Sequence, residues 1–294
     1  MKEQFIEKRF HKASLERIEN INSILTDFQE QGFVVSIRQV YYKLVSTGKI
    51  PNNQKEYDKI SNLITDARRA GLIDWDLIED RTRFLRGWNT YDNPGDAIRS
   101  VSYRYNIDLW QGQDCYVEVW TEKDAMIDVV GHACRKYRID HFSCRGYCSD
   151  DAMYKAAKRM ERRYRNGKQI VVLYLGDHDP SGLDMSRDIP SRLGLMSGLS
   201  GKIDFQRIAL NMDQIEELNP PPNPAKETDK RAQAYIDKFG SYSWELDALE
   251  PSYITDLIHT NIEKYLDMEK FEKRKEQEEK DRELIIDLAD QYSA

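Results

Sequence analysis

The stretch "VVLYLGDHDPSGLDM" (171–185) places two carboxylates directly behind an apolar run. The run predicts a buried strand, so Asp177 and Asp179 follow its carboxyl end, where open α/β sheets form their sites. Residues two apart in an extended segment point the same way, which lets both carboxylates face one ion. Pro180 and Gly182 then turn the chain into a helix. Aspartates at such turns also cap helices, and for Asp-x-Asp alone this alternative stays open.

A third carboxylate stands in the equivalent place after an earlier predicted strand. Glu122 follows "CYVEVWT", and three carboxylates without cysteine or a histidine cluster suit a hard cation, Mg²⁺ or Mn²⁺. Glu118, inside that strand, is expected to face a helix or a polar contact. His178 should point away from the two aspartates and is expected to be structural. A metallophosphoesterase site is disfavoured because it needs several histidines, and this chain has five histidines and no "GNH" segment.

A tyrosine and an arginine form a second candidate pair in "SIRQVYYKLV" (36–45). The helical i, i+3, i+4 spacing predicts a buried face made of Ile37, Val40, Tyr41, Leu44 and Val45. Tyr42 falls outside this stripe and is expected to be exposed, with Arg38 one turn earlier on the same face. Such a phenol can attack a phosphodiester while the guanidinium neutralises phosphate charge. A phenol with a pKa of about 10 needs a metal-bound phosphate to complete the site, and a surface contact is the alternative.

Helices precede these motifs in the N-terminal third. Helices are predicted over 14–30, after Ser36 and through "QKEYDKISNLITDARRAG", followed by short extended segments in 72–87. A helix, a turn, a second helix and then short extended segments are typical of a winged helix, a DNA-binding module. The turn residues of "GWNTYDNPGD" (87–96) indicate a domain boundary.

Beyond that boundary, strands alternate with helices, which predicts an α/β fold whose parallel sheet is covered on both faces. The predicted strands are "CYVEVW", "DHFSC", "QIVVLYLG" and "KIDFQRIAL". After "LNPPPNPAKETD" the chain reads as helical and ends in a charged helix expected at the surface. The predicted domains are 1–92, with the N-terminal helix and winged helix, 93–265, with the sheet, and 266–294, the charged helix.

The overall composition limits the classes of protein to which this chain can belong. The chain has 294 residues, of which 40% are hydrophobic and 32% charged, with a net charge of −7. No apolar run approaches the roughly 20 residues of a membrane span, and the start lacks a signal-peptide core, so a cytoplasmic protein without a membrane partner is expected. The four cysteines form no CxxC pair and are expected to be free thiols, buried at least at Cys115 and Cys144. The net charge argues against nucleic acid only weakly, because charge can be concentrated locally.

Taken together, the motifs resemble a known family. "VEVWTEKDAM", "CRGYCSD" and "LYLGDHDPSGLDM" resemble the Toprim motifs of topoisomerase VI A subunits and meiotic DNA-breaking transesterases. "IRQVYY" resembles their winged-helix active site, and "WELDALEPSYITDLI" their C-terminal segment. The resemblance covers most of residues 33–265 in the family's order. It departs at Cys148, where the family usually has proline, and the short Mini-A relatives found on mobile genetic elements resemble this chain best.

The resemblance implies roles for the residues singled out above. Tyr42 matches the nucleophile and Arg38 its partner, while Glu122, Asp177 and Asp179 match the metal ligands. Lys123 and Arg145 match candidate phosphate contacts. The implied enzyme is a homodimer that cleaves double-stranded DNA through a 5′-phosphotyrosyl bond, one protomer's tyrosine meeting the other's metal site. Since no ATPase domain is recognisable, strand passage would require a separate ATP-hydrolysing B-type subunit.

Two alternatives stay open, a Toprim nuclease that cuts DNA with metal-activated water and a DNA-binding component that never cuts. For the DNA surface, the sequence favours basic residues of the third helix and of the helix after "CRGYCSD". These residues are Lys55, Lys59, Arg68, Arg69, Lys158, Arg159, Arg162 and Arg163. Solvated helix faces are the alternative for both groups.

Overall fold

The computed structural model describes residues 1–79, 88–225 and 231–292. The N-terminal part contains three helices around their own apolar core, in which Ile21, Val40 and Ile64 are fully buried. These helices are α1 (Lys12–Glu30), α2 (Ile37–Ser46) and α3 (Gln54–Arg69). The three helices agree with the sequence prediction to within a few residues.

The start of α2 follows from a reciprocal cap. The Ser36 hydroxyl accepts a hydrogen bond from the Gln39 amide (3.3 Å), and the Gln39 side chain accepts one from the Ser36 amide (2.9 Å). The extended segments expected over 72–87 are reduced, in residues 72–79, to an isolated parallel bridge between Val35 and Ile78. The remainder of that prediction, 80–87, lies outside the described residues.

A four-stranded parallel sheet follows, as the alternating pattern predicts. Its strands are β1 (Cys115–Thr121), β2 (Asp140–Ser143), β3 (Gln169–Leu175) and β4 (Ile203–Ala209), in the order β2-β1-β3-β4. The helices after β1, β2 and β3 are α5 (Ile127–Arg135), α6 (Asp150–Arg165) and α7 (Pro180–Ser197), preceded by α4 (Pro94–Ser102). The α/β class is therefore confirmed.

Side chains of the central strand alternate between two cores because strand residues point to opposite faces in turn. Val171 and Leu173 pack on the face covered by α5, and Val172 and Tyr174 on the face covered by α6 and α7. Both faces are buried, which explains why β3 reads as a continuous apolar run rather than an alternating one.

The C-terminal part wraps back over the sheet. It contains α8 (Met212–Leu218), a short antiparallel pair of β5 (Asn223–Pro224) and β6 (Tyr242–Ser243), α9 (Ala232–Phe239), α10 (Pro251–Glu263) and α11 (Met268–Gln291).

The helix expected at the surface, α11, packs along α4 and buries Phe271 and Glu278. Glu278 accepts from Arg138 and Arg282, so the charged run 266–294 contributes an internal ion-pair network. The four cysteines are free and buried, and no helix in the described residues has the length and apolar character for a membrane span.

Candidate active site

The parallel pairing of β1 and β3 brings two predicted ligands side by side. Thr121 pairs with Leu175 at the strand ends, and the Glu122 amide donates to the Leu175 carbonyl (2.9 Å). Glu122 Oε2 in turn accepts a hydrogen bond from the Asp177 amide (2.9 Å). The rule that sites form at the carboxyl ends of strands therefore places Glu122 and Asp177 together.

Gly182 makes this approach possible. A Cβ atom at Gly182 would lie 2.3 Å from the Asp177 carbonyl oxygen and 2.9 Å from Glu122 Oε2. Only a residue without a side chain fits between this backbone and this carboxylate. Gly182 is thus explained by its packing against the Asp177 backbone and the Glu122 carboxylate.

Asp179 plays the capping role that the sequence left open. Its Oδ1 accepts from the Gly182 amide (2.6 Å) and from the Ser181 hydroxyl (3.0 Å) at the start of α7. The same side chain still lines the cleft that Glu122 and Asp177 line. His178 points elsewhere, as expected, because its Nδ1 contacts the Tyr235 hydroxyl (2.8 Å) in a buried aromatic cluster.

These three carboxylates border one open cleft of about 380 Å³. Cationic side chains border it too, at Arg38, Lys123 and Arg145. Within the described residues, however, no three histidine, cysteine, aspartate or glutamate side chains are gathered closely enough to hold a metal ion. The oxygen donors suit a hard cation chemically, but they do not converge on one point.

Lys123 explains part of this arrangement. Its ammonium contacts three carboxylates, Asp177 Oδ2 (2.9 Å), Glu245 Oε2 (2.8 Å) and Asp247 Oδ1 (3.0 Å). We call these three acids and Glu122 the acid cluster. Lys123, predicted as a phosphate contact, is therefore engaged by carboxylates here. Glu245 and Asp247 are the site residues that sequence reasoning missed, although both lie in the quoted segment "WELDALEPSYITDLI".

Burial and nearby charges shift the pKa values of these groups, upward for Asp177 and Lys123 and downward for Glu245. Burial, with the nearby charges of Glu122 and Asp247, raises the pKa of Asp177 to about 7 despite Lys123. Burial also acts to raise the pKa of Glu245, but Lys123 and Arg38 outweigh it and lower that pKa to about 2. Burial disfavours charge on Lys123, yet the three carboxylates raise its pKa above the ordinary value. The ammonium is thus held in the charged form.

The expectation that Tyr42 is exposed is wrong. Only 4% of the residue is accessible, because Tyr42 belongs to the apolar core of the N-terminal helices, and its hydroxyl accepts a hydrogen bond from Asn223 Nδ2 (3.4 Å). Burial, followed by the charges of Glu245 and Asp247, raises the pKa of Tyr42 well above its ordinary value. Helical periodicity could not reveal the Asn223 contact, since Asn223 lies 181 positions along the chain.

Arg38 connects the two parts of the site. It lines the small cavity of about 90 Å³ that contains Tyr42, Asn223 and Glu245, and it also lines the carboxylate cleft. Its guanidinium lies 3.9 Å from both Glu245 and Asp247 and remains 44% exposed. A single cation therefore stands between the tyrosine and the carboxylates, in the same chain.

Three of the basic residues favoured for DNA binding have internal partners. The Arg159 guanidinium donates two hydrogen bonds to the buried Glu118 carboxylate (2.7 and 2.9 Å). Glu118 therefore faces a helix, as expected. Arg68 donates to the carbonyls of Trp75 and Ile78. Lys123 lies in the acid cluster. These contacts give the three side chains structural roles that helix spacing did not predict.

The remaining basic residues are more accessible. Lys55, Arg69 and Arg162 are exposed. Arg145, 75% exposed, borders the cleft and contacts Asp124 (3.0 Å). Lys59 and Lys158 pair with acids of their own helices, and Arg163 stacks on Tyr116.

Comparison with known proteins adds no identification. No protein-family model matches the chain, and neither a curated protein nor a solved structure matches it significantly.

Proposed function

We propose that the chain is a metal-dependent DNA-cleaving enzyme in which Tyr42 attacks the phosphodiester, forming a 5′-phosphotyrosyl bond. The observation that carries this proposal is the position of Arg38, whose guanidinium borders both the tyrosine cavity and the carboxylate cleft. A phosphate next to Arg38 would lie between a phenol and a set of hard oxygen ligands. This is the combination that tyrosine-mediated cleavage needs.

The chain's own residues define the proposed step. The Tyr42 hydroxyl loses its proton as its oxygen bonds to phosphorus, the bond from phosphorus to the 3′ oxygen breaks, and the 3′ oxygen takes up one proton, so that no net proton is gained or lost. Arg38 neutralises charge on the phosphate oxygens. Glu122, Asp177 and Asp179 would hold Mg²⁺ or Mn²⁺, which supplies additional charge stabilisation on the phosphate. Since only 4% of Tyr42 is accessible, the proposed attack requires DNA to open the tyrosine cavity first.

The finer parts of the proposal follow the family resemblance, except that the tyrosine and the carboxylates acting on one phosphate are proposed to come from one chain rather than from two protomers. We infer a winged-helix and Toprim organisation and a homodimer on double-stranded DNA, with one tyrosine for each strand. Strand passage would need a separate ATP-hydrolysing subunit. The accessible basic residues, above all Arg145 at the cleft, are the proposed phosphate contacts.

A second candidate is a Toprim nuclease that hydrolyses DNA, and the burial of Tyr42 favours it. A phenol with 4% accessibility and a raised pKa is a poor nucleophile. Under this candidate the carboxylate cleft performs the whole reaction with water, and Tyr42 only packs α2 against the segment around β5.

One experiment separates the two candidates. Supercoiled plasmid is incubated with the protein and Mg²⁺ or Mn²⁺, stopped with detergent, and analysed on denaturing gels with and without protease. The transesterase predicts protein on the 5′ ends, lost in Tyr42→Phe and retained in the matched control Tyr41→Phe, whose hydroxyl contacts Asn52 and Asn53 instead. Free ends made equally well by Tyr42→Phe would establish the nuclease. Binding without any cleavage would contradict both.

A further inference from the structure

The cavity beside the Tyr42 hydroxyl is too small for a phosphodiester with its two flanking nucleosides. Its volume is about 90 Å³, whereas sites that enclose small organic ligands have roughly 300 to 1,000 Å³. The cavity is walled by α2, by the turn and first residues of α3, by Glu245 and by Asn223. One of these walls must therefore move before a phosphate can reach the hydroxyl.

Most of these walls are firmly held. The helices α2 and α3 pack into the N-terminal core through Val40 and Ile64, which are fully buried. The Glu245 carboxylate contacts the Lys123 ammonium (2.8 Å). Moving any of them would disrupt a close-packed core or separate a largely buried ion pair, and both changes are strongly unfavourable.

The remaining wall is the segment "PPPNPA" (220–225), which we call the strap. Four of its six residues are prolines, so only Asn223 and Ala225 have an amide N–H. The Ala225 amide donates to the Ser241 carbonyl (2.9 Å), and β5 and β6 pair over two residues only. A segment with so few backbone hydrogen bonds opens more easily than the walls made by helices.

Two asparagines fasten the strap beside Tyr42. Asn52 Nδ2 donates to the Pro222 carbonyl (3.0 Å) and to Asn223 Oδ1 (2.7 Å). Asn223 Nδ2 then donates to the Tyr42 hydroxyl (3.4 Å). Asn52 is itself oriented by the Tyr41 hydroxyl, which donates to its Oδ1 (3.0 Å). The strap is thus attached by side chains where its own backbone offers few donors.

We propose that the strap is a gate over the Tyr42 hydroxyl, fastened by Asn52 and Asn223 and opened when DNA binds. This inference rests on the proposed function and identifies what regulates access to its nucleophile. The asparagine hydrogen bonds suit this role, since each is neutral and is exchanged for one with water when the strap lifts. DNA favours the open state because the closed cavity cannot hold its phosphate, so binding shifts the population toward the open state.

The first test measures how fast tetranitromethane nitrates Tyr42 in the full chain without DNA, followed by mass spectrometry. Asn52→Ala and Asn223→Ala each remove hydrogen bonds that fasten the strap, so nitration of Tyr42 should become about tenfold faster. Tyr174, fully buried in the sheet core, is the internal standard, and its nitration should not change. Asn62→Ala, at an exposed position of α3, is the matched control and should leave the nitration of Tyr42 at the natural rate.

The same variants are then compared in the plasmid assay. If the strap must open before Tyr42 attacks, both variants at the strap should form protein-linked 5′ ends faster than the natural chain, by a factor similar to that for nitration. Asn62→Ala should cleave at the natural rate. A parallel increase in nitration and cleavage supports the proposal.

Other outcomes overturn it. Nitration of Tyr42 that stays at the natural rate in both strap variants, or that rises together with that of Tyr174, shows that the strap is not the wall that moves. Faster nitration with cleavage at the natural rate shows that opening of the strap does not control attack. If nitration becomes faster but neither the natural chain nor any variant cleaves DNA, the strap still controls access to Tyr42, and the proposed cleavage is what fails. Either asparagine variant suffices if the other does not fold.

Discussion

Two buried carboxylate sites are found at β1, one inside the strand and one at its carboxyl end, and they are built in opposite ways. Glu118, 1% exposed, faces α6 from the interior of β1. Its oxygens accept hydrogen bonds from the Tyr116 hydroxyl (2.7 Å), from Trp120 Nε1 (2.8 Å) and from Nε and Nη2 of Arg159. One negative charge meets one positive charge, and each carboxylate oxygen has two donors.

The acid cluster begins four residues later at Glu122 and lacks this balance. Three of its carboxylates share one ammonium, that of Lys123, and only Glu122 and Asp177 of the cluster border the open cleft. A buried acid is therefore not by itself a sign of function in this fold. An excess of buried carboxyl groups over the cations that contact them, at strand ends beside a cleft, distinguishes the candidate active site from the structural ion pair.

The largest expected effect is on DNA cleavage, which should depend on the acid cluster and not on Glu118. Asp177→Asn should lower DNA cleavage about 100-fold or more, because it removes one of the proposed metal ligands from the cleft. Glu118→Gln should leave cleavage nearly unchanged, since Glu118 faces α6 and not the cleft. Both variants are compared on the plasmid assay at equal concentration. A folded Glu118→Gln protein that has also lost cleavage would remove the distinction.

The next effect separates the sites by stability. Arg159→Met should lower the free energy of unfolding by about 3 kcal/mol, because Glu118 is then buried without its cation. Urea denaturation measures this loss. Arg165→Met is the control on the same helix, since Arg165 is 74% exposed and pairs with Glu161 at the surface, and it should change stability by about 0.5 kcal/mol or less. Equal losses in the two variants would show that the Glu118 pair contributes no more than a surface pair.

Much of this contrast could be read from the sequence, and the part that could not has a physical reason. Apolar runs revealed β1 and β3, and the rule for strand ends then placed Glu122 beside Asp177. Both inferences depend on neighbours within one strand or one βα unit, where spacing carries the information.

Contacts between distant segments were not predictable in this way. The partners of Lys123 lie more than 120 residues away at Glu245 and Asp247, and the cover over Tyr42 comes from Asn223. The period of α2 correctly predicts its most apolar face. It cannot show that a second face packs against the C-terminal part, which is why Tyr42 was expected in solvent.

A smaller effect tests how tightly the acid cluster is packed. Gly182→Ala should lower the free energy of unfolding by about 2 kcal/mol, because the added Cβ meets the Asp177 backbone and the Glu122 carboxylate. It should also weaken cleavage by moving those groups apart. Ser191→Ala, at an exposed position of the same helix, is the control and should be neutral in both assays. A Gly182→Ala protein with natural stability would mean that the cluster can rearrange freely.

The smallest expected effect concerns the outer side of α6, the helix whose inner side holds Arg159 against Glu118. Arg162 is exposed on that helix, so if it contacts a DNA phosphate, Arg162→Ala should weaken binding only a few-fold and reduce the slope of log affinity against log salt by about 1. Arg165→Ala on the next turn serves as the comparison, because Arg165 already pairs with Glu161 (2.5 Å). Fluorescence anisotropy with duplex DNA at several salt concentrations gives both slopes.

An unchanged slope for Arg162→Ala would assign this face of α6 to solvent, leaving Arg145 and the cleft as the proposed path of the DNA. A reduced slope would mean that α6 serves two purposes, neutralising a buried acid through Arg159 and a phosphate through Arg162.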